Sequence, residues 1–92
     1  MISNRHRYIL ACLSEECGEV VQVAMKMMRF GVNDVNPKTG DSNIDMLEDE
    51  LVDLEAVIGM IRMELPVFNK ASDGDIYRKQ DKVDKWWKKY YD

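Results

Sequence analysis

Apolar residues recur at helical spacing along three stretches of the chain, and this periodicity predicts three α-helices. The first covers about residues 8–30, with Gly18 as its only glycine and no proline. The second covers about 45–65, where Pro66 forbids continuation. Ser42 or Asn43 is placed to cap it, and Ser42-x-x-Asp45 approximates a capping box. The third covers about 75–91, after Ser72-Asp73-Gly74. Between the first two lies a loop over about 31–44, rich in the turn formers Gly31, Asn33, Asp34, Asn36, Pro37 and Gly40. No segment alternates like a strand and no unit repeats. The expected fold class is all-α, a single helical bundle domain over residues 1–92.

The acids fall on unexpected sides of these helices. At about 100° per residue, Ile9, Cys12, Leu13, Val20, Val23, Met27 and Phe30 all lie within about 60° of Glu16. Glu16 therefore sits in the middle of an apolar stripe. Glu19 lies at its edge, and Glu15 about 100° round on the same side. On the second helix, Met46, Leu47, Leu54, Val57 and Ile61 lie within about 60° of Glu50, with Asp53 at the edge. Two helices thus each aim a carboxylate pair, spaced i, i+3, at the core.

A bare carboxylate in a core costs several kcal/mol even after relaxation. Basic side chains on these faces are too few to neutralise four of them; Lys26 and Arg29 are the nearest, on the Glu19 flank. A divalent cation is the remaining solution. Four oxygen donors without nitrogen or sulfur select Mg²⁺ or Mn²⁺ over zinc or copper. Since Mg²⁺ readily keeps water and phosphate oxygens, phosphate chemistry is the expected substrate class. Asp34-x-Asn36 opens a stretch superficially like an EF-hand loop, but Pro37 and Lys38 intrude and Thr39 replaces the required glycine.

Composition narrows the picture further. The chain has 92 residues, a formal charge of −4 and 46% apolar residues, as expected of a folded globular domain. A domain this small buries only about 60–65% of its unfolded surface, so self-association is an expected source of stability. No apolar run approaches the ~20 residues that span a membrane. Residues Met1 to Arg7 lead directly into an amphipathic stretch rather than a signal-peptide core, which predicts a cytoplasmic protein. Cys12 and Cys17 are five apart and match neither a redox nor a zinc motif, so both are expected as buried small hydrophobes. The single histidine, His6, excludes both a ferritin-like di-iron site and His-rich zinc catalysis.

Charge is unevenly divided. Residues 41–56 hold seven acids and no base, whereas residues 76–92 hold six bases and three acids. The basic tail carries Trp86, Trp87, Tyr90 and Tyr91, a composition that can bind single-stranded nucleic acid. However, Ile76, Val83, Trp87 and Tyr91 share one helical face, which packing against the bundle or a sister subunit explains more simply. The acidic balance also argues against nucleic acid, and none is expected as a partner.

Glu15-Glu16-Cys17-Gly18-Glu19 followed by Glu50-Leu51-Val52-Asp53 resembles the EExxE…ExxD signature of the MazG-like all-α nucleotide pyrophosphohydrolases. Leu13-Ser14 ahead of the first motif, Lys26-Met27-Met28-Arg29-Phe30-Gly31, Asn43, and Lys79-x-x-Lys82-Val83-x-Lys85 are also similar to the short bacterial and phage members. The resemblance spans most of the chain, and the central loop matches least. It implies Mg²⁺-dependent hydrolysis of a nucleoside triphosphate, a dNTP foremost, to the monophosphate and pyrophosphate, with Mn²⁺ as a substitute. By motif position the implied metal ligands are Glu16, Glu19, Glu50 and Asp53. Glu15 is implied as an acceptor behind them or as the group that orients the attacking water. Lys26, Arg29 and Asn43 are the candidate nucleotide contacts. The resemblance further implies a bundle completed as a homodimer or homotetramer, acting in nucleotide-pool control or house-cleaning in bacterial or phage-infected cytoplasm. The competing expectation is a non-catalytic helical interaction module in which the carboxylates hold a structural metal.

Overall fold

Ser3 starts the first helix, because its side chain accepts a hydrogen bond from the backbone N–H of His6 at 3.1 Å. In the computed structural model, which describes residues 2–65 and 72–91, α1 is Asn4–Phe30, α2 is Asn43–Glu64 and α3 is Asp73–Tyr90. The described residues are all-helical apart from loops and one isolated bridge, Val35 to Ser42. The basic stretch Arg5-His6-Arg7 therefore belongs to α1, which begins earlier than its apolar stripe. Ser42 is the cap of α2, receiving the Asp45 N–H, and Asn43 is already helical. α2 ends at Glu64 with Leu65 as its cap, and Pro66 lies outside the described residues.

The loop between α1 and α2 is tightly bonded. Gly31 leaves α1 at φ 96° and Gly40 turns at φ 79°, backbone angles that side chains disfavour. Asn36 gathers the tip: its carbonyl accepts from Gly40 N–H at 2.8 Å, and its side chain accepts from Lys38 N–H at 2.9 Å. Asn43, 3% exposed, is the latch of the whole turn. Its Nδ2 donates to the Gly31 carbonyl at 2.9 Å, and its backbone N–H donates to the Asp34 carbonyl at 2.9 Å. The end of α1 is thereby fastened to the start of α2.

α1 and α2 run antiparallel with their apolar stripes facing. The buried apolar side chains among the described residues are Ile9 and Val23 on α1 and Ile61 on α2, each contributing about 1.5–3 kcal/mol. At the open end, Arg5 clasps Glu64 with two parallel hydrogen bonds, 3.0 and 3.1 Å long. Register advances one residue for one residue from Arg5 opposite Glu64 towards Val23 beside Met46. Cys12 is half-buried, but Cys17 is exposed, correcting the expectation that both are interior. Cys17 lies about 100° round from Glu16, on a flank that α2 does not reach.

α3 is built by local signals alone. Ser72 and Asp75 form a full capping box, Asp75 also pairs with Arg78, and Lys85 pairs with Asp81 at 3.0 Å. Trp86 lies tilted against Tyr90 and Trp87 stacks on Tyr91, with ring centroids 5.3 and 5.0 Å apart. Among the described residues, α3 packs against neither α1 nor α2. The radius of gyration, 16.4 Å, exceeds the roughly 12 Å of a compact chain of this length for the same reason. No helix among the described residues is long and apolar enough to cross a membrane.

Candidate metal centre

The antiparallel register sets the two carboxylate pairs against each other. An i, i+3 pair on each helix needs only that register to place Glu19 beside Glu50 and Glu16 beside Asp53. One carboxylate oxygen from each of Glu16, Glu19, Glu50 and Asp53 lies within 4.8 Å of all the others. Glu16 and Glu50 are the inner, half-buried members, while Glu19 and Asp53 form the exposed rim.

Four carboxylates this close repel one another, and the two inner ones, Glu16 and Glu50, are pushed upward. Glu50 is pushed up to about 7, first by a hydrogen bond shared with Glu19, then by desolvation and the charges of Glu19, Asp53 and Glu16. Desolvation leads the upward shift of Glu16, followed by the charges of Glu19 and Asp53. Oε2 of Glu16 and Oε2 of Glu50 are both buried with no hydrogen-bond partner. Buried acceptors are almost always satisfied in folded proteins, and leaving one unpaired costs about 1–3 kcal/mol or more. The ion pairs of Arg5 with Glu64, Arg78 with Asp75 and Lys85 with Asp81 all lie elsewhere. The donor set therefore fits a hard divalent cation: all-oxygen, anionic, with two buried oxygens unsatisfied.

Glu15 is exposed and stands outside the four-oxygen cluster, although its charge adds to the upward push on Glu16. Lys26 lines a groove of about 340 Å³ with Glu19, Gln22, Val23, Met46, Asp49 and Glu50. The groove opens beside the carboxylates, so a cationic side chain and the acidic centre share one depression. Lys26 also lines a smaller recess of about 170 Å³ against the loop, where Phe30, Asn36 and Asn43 contribute. Asn43 reaches that recess with its amide nitrogen already committed to Gly31. The Arg29 guanidinium instead sits 5.8 Å from the Phe30 ring centroid and lines neither depression. Gln22 and Asp49 are groove residues that the motif does not single out. Their signal is positional: Gln22 follows Glu19 by three residues and Asp49 precedes Glu50 in the acidic stretch.

The centre is thus a four-carboxylate clamp with a lysine-edged groove beside it. Comparison of the chain with protein-family models, with curated proteins and with solved structures finds no match.

Proposed function

We propose that this chain is a cytoplasmic MazG-like pyrophosphohydrolase. It cleaves a nucleoside triphosphate, foremost a dNTP, to the monophosphate and pyrophosphate, using Mg²⁺ or Mn²⁺, for nucleotide-pool control or house-cleaning. One observation carries the reading. Four carboxylates from two helices converge on a single point where two buried oxygens have no partner. The order of the motifs in the sequence supports it.

In this reading Glu16, Glu19, Glu50 and Asp53 hold the cation. When bound, it supplies positive charge that screens the triphosphate and stabilises charge developing at the reacting phosphorus. Glu50 carries its proton up to about pH 7 and releases it as the clamp loads. Lys26, at the edge of the groove, offers its ammonium to phosphate oxygens. Glu15, outside the clamp and solvent-facing, accepts a proton or hydrogen bond from the attacking water. Asn43 shapes the recess by fastening the loop rather than by offering a free amide donor. The bundle is completed as a homodimer or homotetramer, a reading supported by the exposed apolar side chains of α2 and α3.

Pyrophosphate release from a panel of common dNTPs and NTPs, with Mg²⁺, with Mn²⁺ and with EDTA, tests the proposal. Metal-dependent release with a monophosphate product is the expected result. Silence across the panel without nucleotide-induced thermal stabilisation leaves the metal-bound interaction module in its place.

A further inference from the structure

Two depressions lie end to end along the α1–α2 pair. The groove beside the carboxylates and the smaller recess against the loop share Lys26 and Met46, so one runs into the other. Met46 is four residues from Glu50 and Asn43 is seven, which sets the recess about 6–10.5 Å along α2 from the acidic centre. A sugar bridges a gap of that order between the first phosphate of a nucleotide and its base. A nucleotide with its phosphates at the carboxylates therefore brings its base to the recess.

The recess has an unfilled hydrogen-bonding pattern. Asn43 is 3% exposed and its Nδ2 is committed to the Gly31 carbonyl, yet its Oδ1 accepts no hydrogen bond among the described residues. A buried amide oxygen normally has a donor, and the recess is the depression that Asn43 lines. Asp34 lines it too, and its carboxylate pairs with no cation among the described residues. Asn36 spends Oδ1 on the Lys38 N–H, which leaves its Nδ2 as a donor. Phe30, 62% exposed, supplies a ring against which a planar group can lie. Two acceptors and a donor thus border a space of about 170 Å³.

Guanine presents the complement, with the adjacent donors N1–H and the N2 amino group beside the O6 acceptor. Adenine and cytosine place a bare ring nitrogen next to their amino group, and thymine sets a single N–H between two carbonyls. We infer that the recess reads guanine. Asp34 and the Asn43 Oδ1 accept from N1–H and the N2 amino group, while Asn36 Nδ2 donates to O6. The inference rests on the nucleotide part of the proposed function and adds the base class to it. Because the reader is the loop, the segment that least resembles the MazG-like pattern, the preference belongs to this chain.

The test is calorimetric binding of deoxynucleoside monophosphates in Mg²⁺, which reports the base without any turnover. On the native chain, dGMP is expected to bind about tenfold or more tighter than dAMP, dCMP or dTMP. dIMP, which lacks the N2 amino group, is expected to fall between. Asp34→Ala keeps the backbone carbonyl that holds the Asn43 N–H, and is expected to erase the guanine preference while leaving dTMP binding as it was. The native panel needs no variant, so the proposal can fail without any question of folding. Equal affinity across the panel, tighter binding of another base, no saturable binding up to millimolar dGMP, or a preference that survives Asp34→Ala overturns it. Guanine selectivity in a chain that releases no pyrophosphate from dGTP keeps the base reading and removes the reaction. Pyrophosphate release at equal rates from all four dNTPs does the reverse.

Discussion

The α1–α2 pair and α3 obey the same local rules and end in opposite conditions. Each of the three helices starts on a serine cap and carries an apolar stripe. In the pair, the stripes meet, Asn43 latches the loop, and two carboxylates, Glu16 and Glu50, are drawn part-way inside with Glu19 and Asp53 at their rim. In α3 the rings stay exposed, lysines share their face, and helix-local bonds do the holding. The difference separates what makes a helix from what gives it a place. Capping and periodicity suffice for the first, whereas the second needs a matching surface, which α3 does not find among the described residues of its own chain.

The largest effect that tests this contrast lies in the pair. Glu16→Gln or Glu50→Gln is expected to lower metal-dependent turnover at least about 100-fold, by removing an inner ligand and the charge it contributes. The metal-free form of either variant is expected to keep its helical content and melt no lower than the native chain, since like-charge repulsion is relieved. Unchanged turnover in both variants would falsify the ligand assignment. The same substitutions leave α3 untouched, so a loss of oligomer mass in them argues that the two regions are coupled.

Next in size is the latch. Asn43→Ala leaves the Gly31 carbonyl without its donor and is expected to cost about 1–3 kcal/mol in denaturant unfolding. A loss of nucleotide affinity with no change in stability would instead make Asn43 a ligand contact alone. A smaller effect belongs to α3. Ser72→Ala breaks the capping box and is expected to cost about 1 kcal/mol, seen as reduced helicity. If α3 is held only locally, the unfolding midpoint of the α1–α2 pair stays where it was.

Acidity gives the mildest and most diagnostic comparison. Glu50 holds its proton to about pH 7 in the fold against 4.5 for the ordinary group, so the folded state binds that proton more tightly. Its contribution to stability is full below about 4.5 and is lost as pH rises through 7. Glu16 shifts in the same direction. Metal-free protein is therefore expected to melt lower at about pH 7.5 than at about pH 5, and Glu50→Gln to flatten that slope. Glu64, lowered by its bond to Arg5, acts in the opposite sense, losing its contribution only at pH below the ordinary carboxylate range. A melting temperature that rises across the neutral window contradicts a crowded, unsatisfied centre.

Much of the pair is legible from spacing. Ile9, Val23 and Ile61, the buried apolar side chains among the described residues, all fall within the stripes centred on Glu16 and Glu50. The grouping of the four acids follows once two such stripes are placed face to face. What spacing cannot show is which residue meets which across the pair. The clasp between Arg5 and Glu64 joins residues 59 apart, and no periodicity marks it. Asn43 reads in the sequence as a cap or a nucleotide contact because an amide suits both roles. Its partner, a backbone carbonyl twelve residues earlier, becomes visible only when the loop closes. Arg29 shares a flank with Lys26 in the sequence, yet three further residues of helix carry it round to Phe30 and away from the groove. For α3, local pattern names the helix and its aromatic face, which neither α1 nor α2 covers among the described residues.

The measurement that bears most directly on the centre is calorimetric titration of the metal-free protein with Mn²⁺ near neutral pH, repeated in buffers of different ionisation heat. A clamp of Glu16, Glu19, Glu50 and Asp53 binds the ion saturably and releases protons, because Glu50 must give up the one it holds to about pH 7. In Glu50→Gln the affinity falls and the proton release shrinks. No saturable binding up to millimolar Mn²⁺, or equal binding by the native chain and Glu50→Gln, contradicts the account.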